Sequence, residues 1–530
     1  MINSILNNPI IGMVGEEVTK PIPVTLLSGF LGSGKTTLLE HVLTHNHNLR
    51  IAVVINDMSL LNIDASLIES HRVSQKEEKL IKLQNGCICC TLRGDLLEEL
   101  VSLAKSKAYD HIIIESTGIS EPMQVAETFT TEFTDVYLAN QDDLTPETRE
   151  ILDEISSLGG LARIAKLDSC ITVVDAKTFL DNFETTEFLV DRWGSSGQNE
   201  EDRTICDLMV DQIEFSNVII VNKTNLIKRK EKKKIYKIIK VLNPNAKVIS
   251  TNFAKVDIKE IVGTSLFDFE KVQNSVGWLQ SLHEMTKQEK YNNKLTPKPE
   301  TEEYGINNFV YTSRRPFHPE RIYNLLKDKF SIIEQSGFAD EEGDAEKKET
   351  VQISDDDEDE EEDEEEDEDE EEDEDEVDED VSDAEIVLNR KKTPLGPVLR
   401  SKGFFWLASR HIIRGEWSSA GPMLTLRGGL PWFAITGYDE FSSETQKLIK
   451  QDMVGEHGDR RNEIVFIGLG INQSKLTKLL DSCLVTDEEF DLYNGITGEK
   501  NLFKVEKNLQ MHFTDGFESW ITFSESSTEG

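Results

Sequence analysis

The residue types and spacing of GFLGSGKT, residues 29–36, suit one chemical task. Gly29, Gly32 and Gly34 let the backbone curl so that successive N–H groups, with Ser33 and Thr37 on the same rim, face an anion. Lys35 can reach the β- and γ-phosphates of a nucleotide, and the Thr36 hydroxyl can take Mg2+. The task is binding a nucleoside triphosphate. Such a loop must be fed by a strand and must open a helix. VTLL at 24–27 and the apolar pattern of 35–43 read as those two elements, and the helix start adds its positive dipole end.

A second constellation is NGCICCT at 85–91. In extended backbone Cys87 and Cys89 point to one face, and Cys90 joins them if the chain turns into a helix at about Leu92. Three thiolates suit Zn2+ and leave a fourth position open, an arrangement for exchanging a metal rather than locking it in. The competing explanation is three small buried hydrophobes, which polar Asn85 and Thr91 argue against. After the apolar run HIII comes ESTG. Glu115 there can serve Mg2+, as can Asp57 after IAVVI, and Gly118 lets an N–H approach the γ-phosphate. Asp57 is equally well explained as a turn former.

NKTN at 222–225 follows NVIIV and has the form of a base reader: Asn222 braces the loop and the stem of Lys223 stacks on the base. Asn225 stands where guanine readers carry Asp. An amide offers donors where guanine also has donors, so selection of guanine weakens, although GTP remains the expected nucleotide. His41, His45 and His47 follow the loop, and His41 and His45 have the i, i+4 spacing of a metal pair; the basic run 228–234 could be a nuclear localisation signal or meet an acidic partner, and Arg315, His318 and Arg321 could contact the nucleotide-binding half or a partner. For each of these an ordinary structural role, a solvated helix face or a cap, serves as well.

The elements that must position these groups follow from hydropathy. Short β-branched runs at 51–55, 111–115, 170–175, 217–222 and 247–250 alternate with helical segments, as in a parallel sheet covered on both faces. The expected fold is a doubly wound α/β domain over 23–280, after a flexible leader at 1–22. A linker at 281–305 precedes a smaller α+β domain at 306–485, and a tail covers 486–530. Strands are expected at 308–312, 403–409, 432–436 and 463–468, and helices at 319–329 and 475–483. An acidic insertion, expected to be disordered, interrupts this domain at 338–392, where residues 355–376 are all Asp or Glu. Even without that run the chain, with 100 Asp and Glu against 57 Lys and Arg, stays acidic, which argues against nucleic acid as a partner. A basic protein could bind the acidic tract. No run is long and apolar enough for a membrane helix, so a membrane partner is not expected. Six cysteines in 530 residues make no disulfide framework, so a reducing compartment is expected, the cytoplasm by default with the nucleus as the alternative.

With GFLGSGKT, NGCICC, ESTGISEP and NKTN in this order, the sequence resembles the CobW (cobalamin synthesis protein) family of P-loop metallochaperone GTPases, its zinc-associated branch in particular. RRPFHPER, SKGFFWLASR and NEIVFIG extend the resemblance into the second domain. It implies a SIMIBI-type P-loop NTPase domain with a ferredoxin-like C-terminal domain. It further implies Zn2+ at Cys87, Cys89 and Cys90, with GTP hydrolysis coupled to delivery into a client metalloenzyme. By position, Gly29, Gly32, Gly34 and Lys35 would bind phosphates, Thr36 and Glu115 would serve Mg2+, and Asn222 and Lys223 would serve the base. A small-molecule kinase, or an acidic scaffold for basic partners, are the alternatives; a kinase leaves the three cysteines without a task.

Overall fold

The computed structural model describes residues 20–45, 48–56, 79–83, 93–116, 118–129, 149, 152–153, 155–156, 160–193, 203–268, 306–335, 382–439, 441, 443–499, 501–518 and 520. The chain divides into two compact units, 1–281 and 282–530. In the first, the order is β1 (Ile22–Ser28), α1 (Lys35–Thr44), β2 (Ile51–Asn56), β3 (Lys79–Leu83), α2 (Arg93–Ser106), β4 (His111–Glu115) and β5 (Ala165–Asp175). Then come α3 (Ile205–Phe215), β6 (Val218–Asn222), α4 (Arg229–Leu242) and β7 (Lys247–Ser250). The sheet is wholly parallel, in the order β3-β2-β4-β1-β5-β6-β7. The strand of the phosphate loop, β1, is central, with β4 on one side and β5 on the other. That is the switch point at which doubly wound sheets bind ligands beyond their carboxyl ends.

The unbroken apolar runs have the cause expected of them, burial on both faces. Ile113 joins Leu38, Leu39 and Val42 of α1, whereas Ile112 and Ile114 join Leu96, Leu97 and Leu100 of α2. Truncating such a leucine to alanine costs roughly 2–5 kcal/mol. Six of the seven strands match the runs read from sequence. β3 was not expected: its sequence, KLIKL, mixes lysine into a short edge strand and so lacks the continuous apolar signal.

The second unit contains β8 (Ile306–Ser313), α5 (Pro319–Leu326), β9 (Ser331–Gln335), α6 (Asp383–Lys391), β10 (Val398–Phe405), β11 (Ile413–Ala420) and β12 (Met423–Pro431). β13 (Asn462–Leu469), α7 (Gln473–Asp481), α8 (Asp487–Thr497) and α9 (Leu502–His512) complete it. Its six-stranded sheet runs β8-β13-β10-β11-β12-β9, antiparallel except for β12 with β9.

Three expectations need correction here. Residues 432–436 are not a strand: Phe433–Thr436 is one helical turn, whose first N–H groups, on Phe433 and Ala434, donate to the Asp459 carboxylate at 2.9 Å each. The stretch assigned to an insertion ending at 392 already contains α6, opened by a capping box from Ser382 to Glu385. Residues 486–530 are not merely a tail. Tyr493 of α8 and Val505 and Leu509 of α9 are buried against Trp406 and Trp432. The linker at 281–305 and the acidic run 355–376 lie outside the described residues.

At the start of β4, His111 is buried and its Nε2 lies 2.8 Å from Thr25 Oγ1. Desolvation lowers its pKa from 6.5 to about 4, against an opposing pull from Asp168. The unfolded chain therefore takes up a proton that the folded chain refuses, and stability falls as pH drops from about 6.5 towards 4. His111→Gln should flatten the dependence of Tm on pH in that window; a profile equal to that of the unaltered chain would refute the assignment.

Candidate functional site

The end of β1 and the start of α1 are joined by a loop that few side chains could replace. Gly29, Gly32 and Gly34 all have positive φ, at 131°, 75° and 111°. A Cβ on Gly29 would stand 2.3 Å from the Val173 carbonyl oxygen of β5, and one on Gly34 would stand 2.3 Å from Asn222 Nδ2. The loop is thus pressed against its neighbours as tightly as backbone allows. Ser33 Oγ is buried and without a hydrogen-bond partner among the described residues, a cost that an incoming phosphate oxygen would relieve. Thr36, in the first turn of α1, is half-buried and Thr37 is exposed.

Lys35 is 6% exposed, and its Nζ donates to the Gly29 carbonyl at 2.7 Å and the Phe30 carbonyl at 3.4 Å. The Glu115 carboxylate, 4% exposed, lies 4.0 Å away. Parallel register puts it there, since Glu115 pairs with Leu27 two residues before Gly29. Beyond it, the Ser116 N–H donates to the Leu27 carbonyl at 2.9 Å. Gly118 lies so close to the loop that a Cβ would fall 2.6 Å from Leu31 N. Gln212 of α3 donates to the Gly118 and Ser120 carbonyls, and Arg203 pairs with Glu121 and Asp211. Gly118, Ser120 and Glu121 are thereby tied to α3.

The far side of the site is built by the ends of β6 and β7. Asn222 Nδ2 donates to the Ser33 carbonyl at 2.9 Å, while its Oδ1 accepts from Ala254 N at 2.9 Å. Lys223 donates to the Gly32 carbonyl at 2.7 Å and to Asp175 at 2.6 Å. Asn225 is exposed; its backbone N–H donates to Asn252 Oδ1 at 2.8 Å, and Thr224 Oγ1 donates to the same atom at 3.0 Å. The phosphate loop, Glu115 and NKTN thus meet at one rim. Asp175 and the loop 251–255 were not anticipated. The signal for the loop was its place directly after the last apolar run, at the same edge of the sheet as NKTN.

Cys87, Cys89, Cys90 and Asp57 lie outside the described residues, and among the described residues no group of three His, Cys, Asp or Glu could hold a metal. The other three cysteines, Cys170, Cys206 and Cys483, are buried and form no disulfide, and desolvation pushes Cys170 and Cys483 above the ordinary thiol range. Among the weaker candidates, His41 Nε2 meets the Val256 carbonyl at 2.9 Å, and most of the basic run is the exposed start of α4. Arg315 and Arg321 pair with Asp487 and Glu489 of α8.

A phosphate cradle at the switch point of a wholly parallel sheet, facing a braced Asn-Lys loop, defines a P-loop nucleotide-binding protein. The sequence also matches the CobW/HypB/UreG nucleotide-binding domain over 23–148 and 149–250, and the cobalamin synthesis protein cobW C-terminal domain over 376–484. The chain belongs to this family. It is 37% identical over 485 residues to zinc-regulated GTPase metalloprotein activator 1 of Dictyostelium discoideum, covering 90% of this chain and 82% of that one. A protein of the same name from Schizosaccharomyces pombe is 30% identical over 262 residues, 49% of this chain and 53% of its own. The zinc chaperone YjiA of Escherichia coli is 39% identical over 114 residues, 21% of this chain and 34% of its own.

Replacing Asn222 by Ala removes the brace between three loops, two hydrogen bonds worth about 1 kcal/mol each. Nucleotide affinity should fall by about tenfold or more and Tm should drop, both read by titration and thermal unfolding. Unchanged affinity would show that the phosphate loop holds its shape alone.

Proposed function

We propose that the chain is a GTP-hydrolysing zinc metallochaperone, which carries Zn2+ on Cys87, Cys89 and Cys90 and passes it to a client metalloenzyme. The observation that carries the reading is the cradle itself: buried Lys35 and Glu115 face one rim with the Asn222 and Lys223 loop. The family and the name of the Dictyostelium relative supply the link to zinc and to activation of a metalloprotein.

On arrival of a triphosphate, Lys35 exchanges its two carbonyl partners for phosphate oxygens, and the loop N–H groups with Ser33 Oγ close around them. Thr36 and the buried Glu115 carboxylate, with Asp57, fit the hard oxygen donors that Mg2+ requires. When bound, that ion supplies charge neutralisation on the β- and γ-phosphates. Zn2+ is the cargo. The run NGCICC lies in sequence between β3 and α2, and the carboxyl end of β3 is on the same side of the parallel sheet as the phosphate loop. Three strand spacings separate β3 from β1, roughly 14 Å. Loss of the γ-phosphate is coupled to the thiolates through the segments after β2 and β4, which biases the metal towards release.

GTP turnover by the full chain should respond to one equivalent of Zn2+, and Cys89→Ser should lose both that response and tight zinc binding while still binding nucleotide. Lys35→Ala should abolish turnover. Zinc-independent turnover in the unaltered chain would remove the chaperone reading and leave only a nucleotide hydrolase. At the base, Asn225→Asp should raise affinity for GTP over XTP, because a carboxylate accepts both guanine donors whereas an amide accepts one. An unaltered ratio would mean that residue 225 does not face the base.

A further inference from the structure

We propose that Phe253 is the aromatic face on which the base of the bound nucleotide stacks, a specificity element that rests on the nucleotide-binding reading above. The loop after β7 is fastened on both sides of this residue. Before it, Asn252 Oδ1 accepts from Asn225 N and Thr224 Oγ1 in the base-reading loop. After it, Ala254 N donates to Asn222 Oδ1, and Ala254 is fully buried. Thr251 N donates to the Val221 carbonyl of β6 at 2.9 Å, and Thr251 Oγ1 to the Lys255 carbonyl at 2.6 Å. Phe253 therefore has a fixed place on the rim beside Asn222, Lys223 and Asn225.

Its conformation is unusual for its side chain. Phe253 and Ala254 have φ of 56° and 51°, and Lys223 in the facing loop has 57°, so three of the six non-glycine residues with positive φ among the described residues lie in these two loops. A bulky residue in the left-handed region is an outlier that persists where the surroundings impose it, and such residues gather at functional sites. Glycine or asparagine would close this turn without strain. Yet a phenyl ring stands there 69% exposed, with no ring contact among the described residues. The ring contributes nothing to the core, and a planar apolar ligand is what would cover it.

Every nucleobase has a π-face, so stacking supplies affinity without choosing the base. With the Lys223 stem on the same rim, the base would lie between an apolar ring and an alkyl chain, and the edge contacts of residue 225 would make the selection. Affinity and selectivity are then carried by different residues, which suits a site where Asn225 has relaxed the reading of guanine.

The test compares GTP with ribose 5′-triphosphate, which has the phosphates and sugar but no base, by calorimetric titration of the full chain with Mg2+ present. Phe253→Ala should weaken GTP binding by about tenfold or more while leaving ribose 5′-triphosphate binding unchanged, and Phe253→Trp should restore GTP binding. Unchanged GTP affinity in Phe253→Ala overturns stacking and assigns the exposed ring to another partner. An equal loss for both ligands also overturns it, since the residue would then only hold the loop. If the unaltered chain binds neither ligand, the phosphate-loop reading fails and stacking fails with it, an outcome distinct from the first two.

Discussion

One buried carboxamide holds the nucleotide rim together. Asn222 ends β6, is 2% exposed, and joins the phosphate loop after β1 to the loop after β7. β1 is not a neighbour of β6: β5 stands between them. Only a group with a donor on one arm and an acceptor on the other can take a carbonyl from one loop and an N–H from the next. A carboxylate of the same shape would meet the Ser33 carbonyl with like charge, and an apolar side chain would leave two backbone groups buried without partners.

Much of the remaining architecture can be understood as what allows that contact. Gly34 leaves room for the amide, and Gly29 leaves room for β5, so the loop settles onto strands already fixed by cores on both faces of the sheet. Parallel register then brings Glu115 level with Leu27 and places Asp175 opposite Asn222, within reach of Lys223. The strain of the site collects where the backbone is pinned, at Lys223, Phe253 and Ala254, and the stable sheet beneath bears it.

The second unit solves a different problem. Its sheet has faces that must be covered, and the C-terminal stretch covers part of them. Arg410 donates to both oxygens of Asp515 and to the Phe517 and Glu518 carbonyls, with its guanidinium 4.0 Å above the Trp520 ring. Gly428 of β12 leaves the space that this indole occupies. A polar tether and an aromatic cover thus arrive together, which explains why residues that read as a tail are part of the core.

The sequence by itself determined the elements whose signals are local. The spacing of glycines before Lys35, the apolar runs of six parallel strands, and the Glu115 and Asn222 positions at strand ends are short-range patterns imposed by steric and burial demands. Signals that depend on distant partners were not legible. KLIKL became an edge strand only by pairing with β2, and residues 433–436 became a helical turn because Asp459 supplied its missing acceptors. Asp175 and Asn252 acquired meaning from neighbours 48 and 27 positions away. Tertiary structure decided these, because a hydrogen bond or an exposed ring has a role only once the fold has chosen what stands beside it.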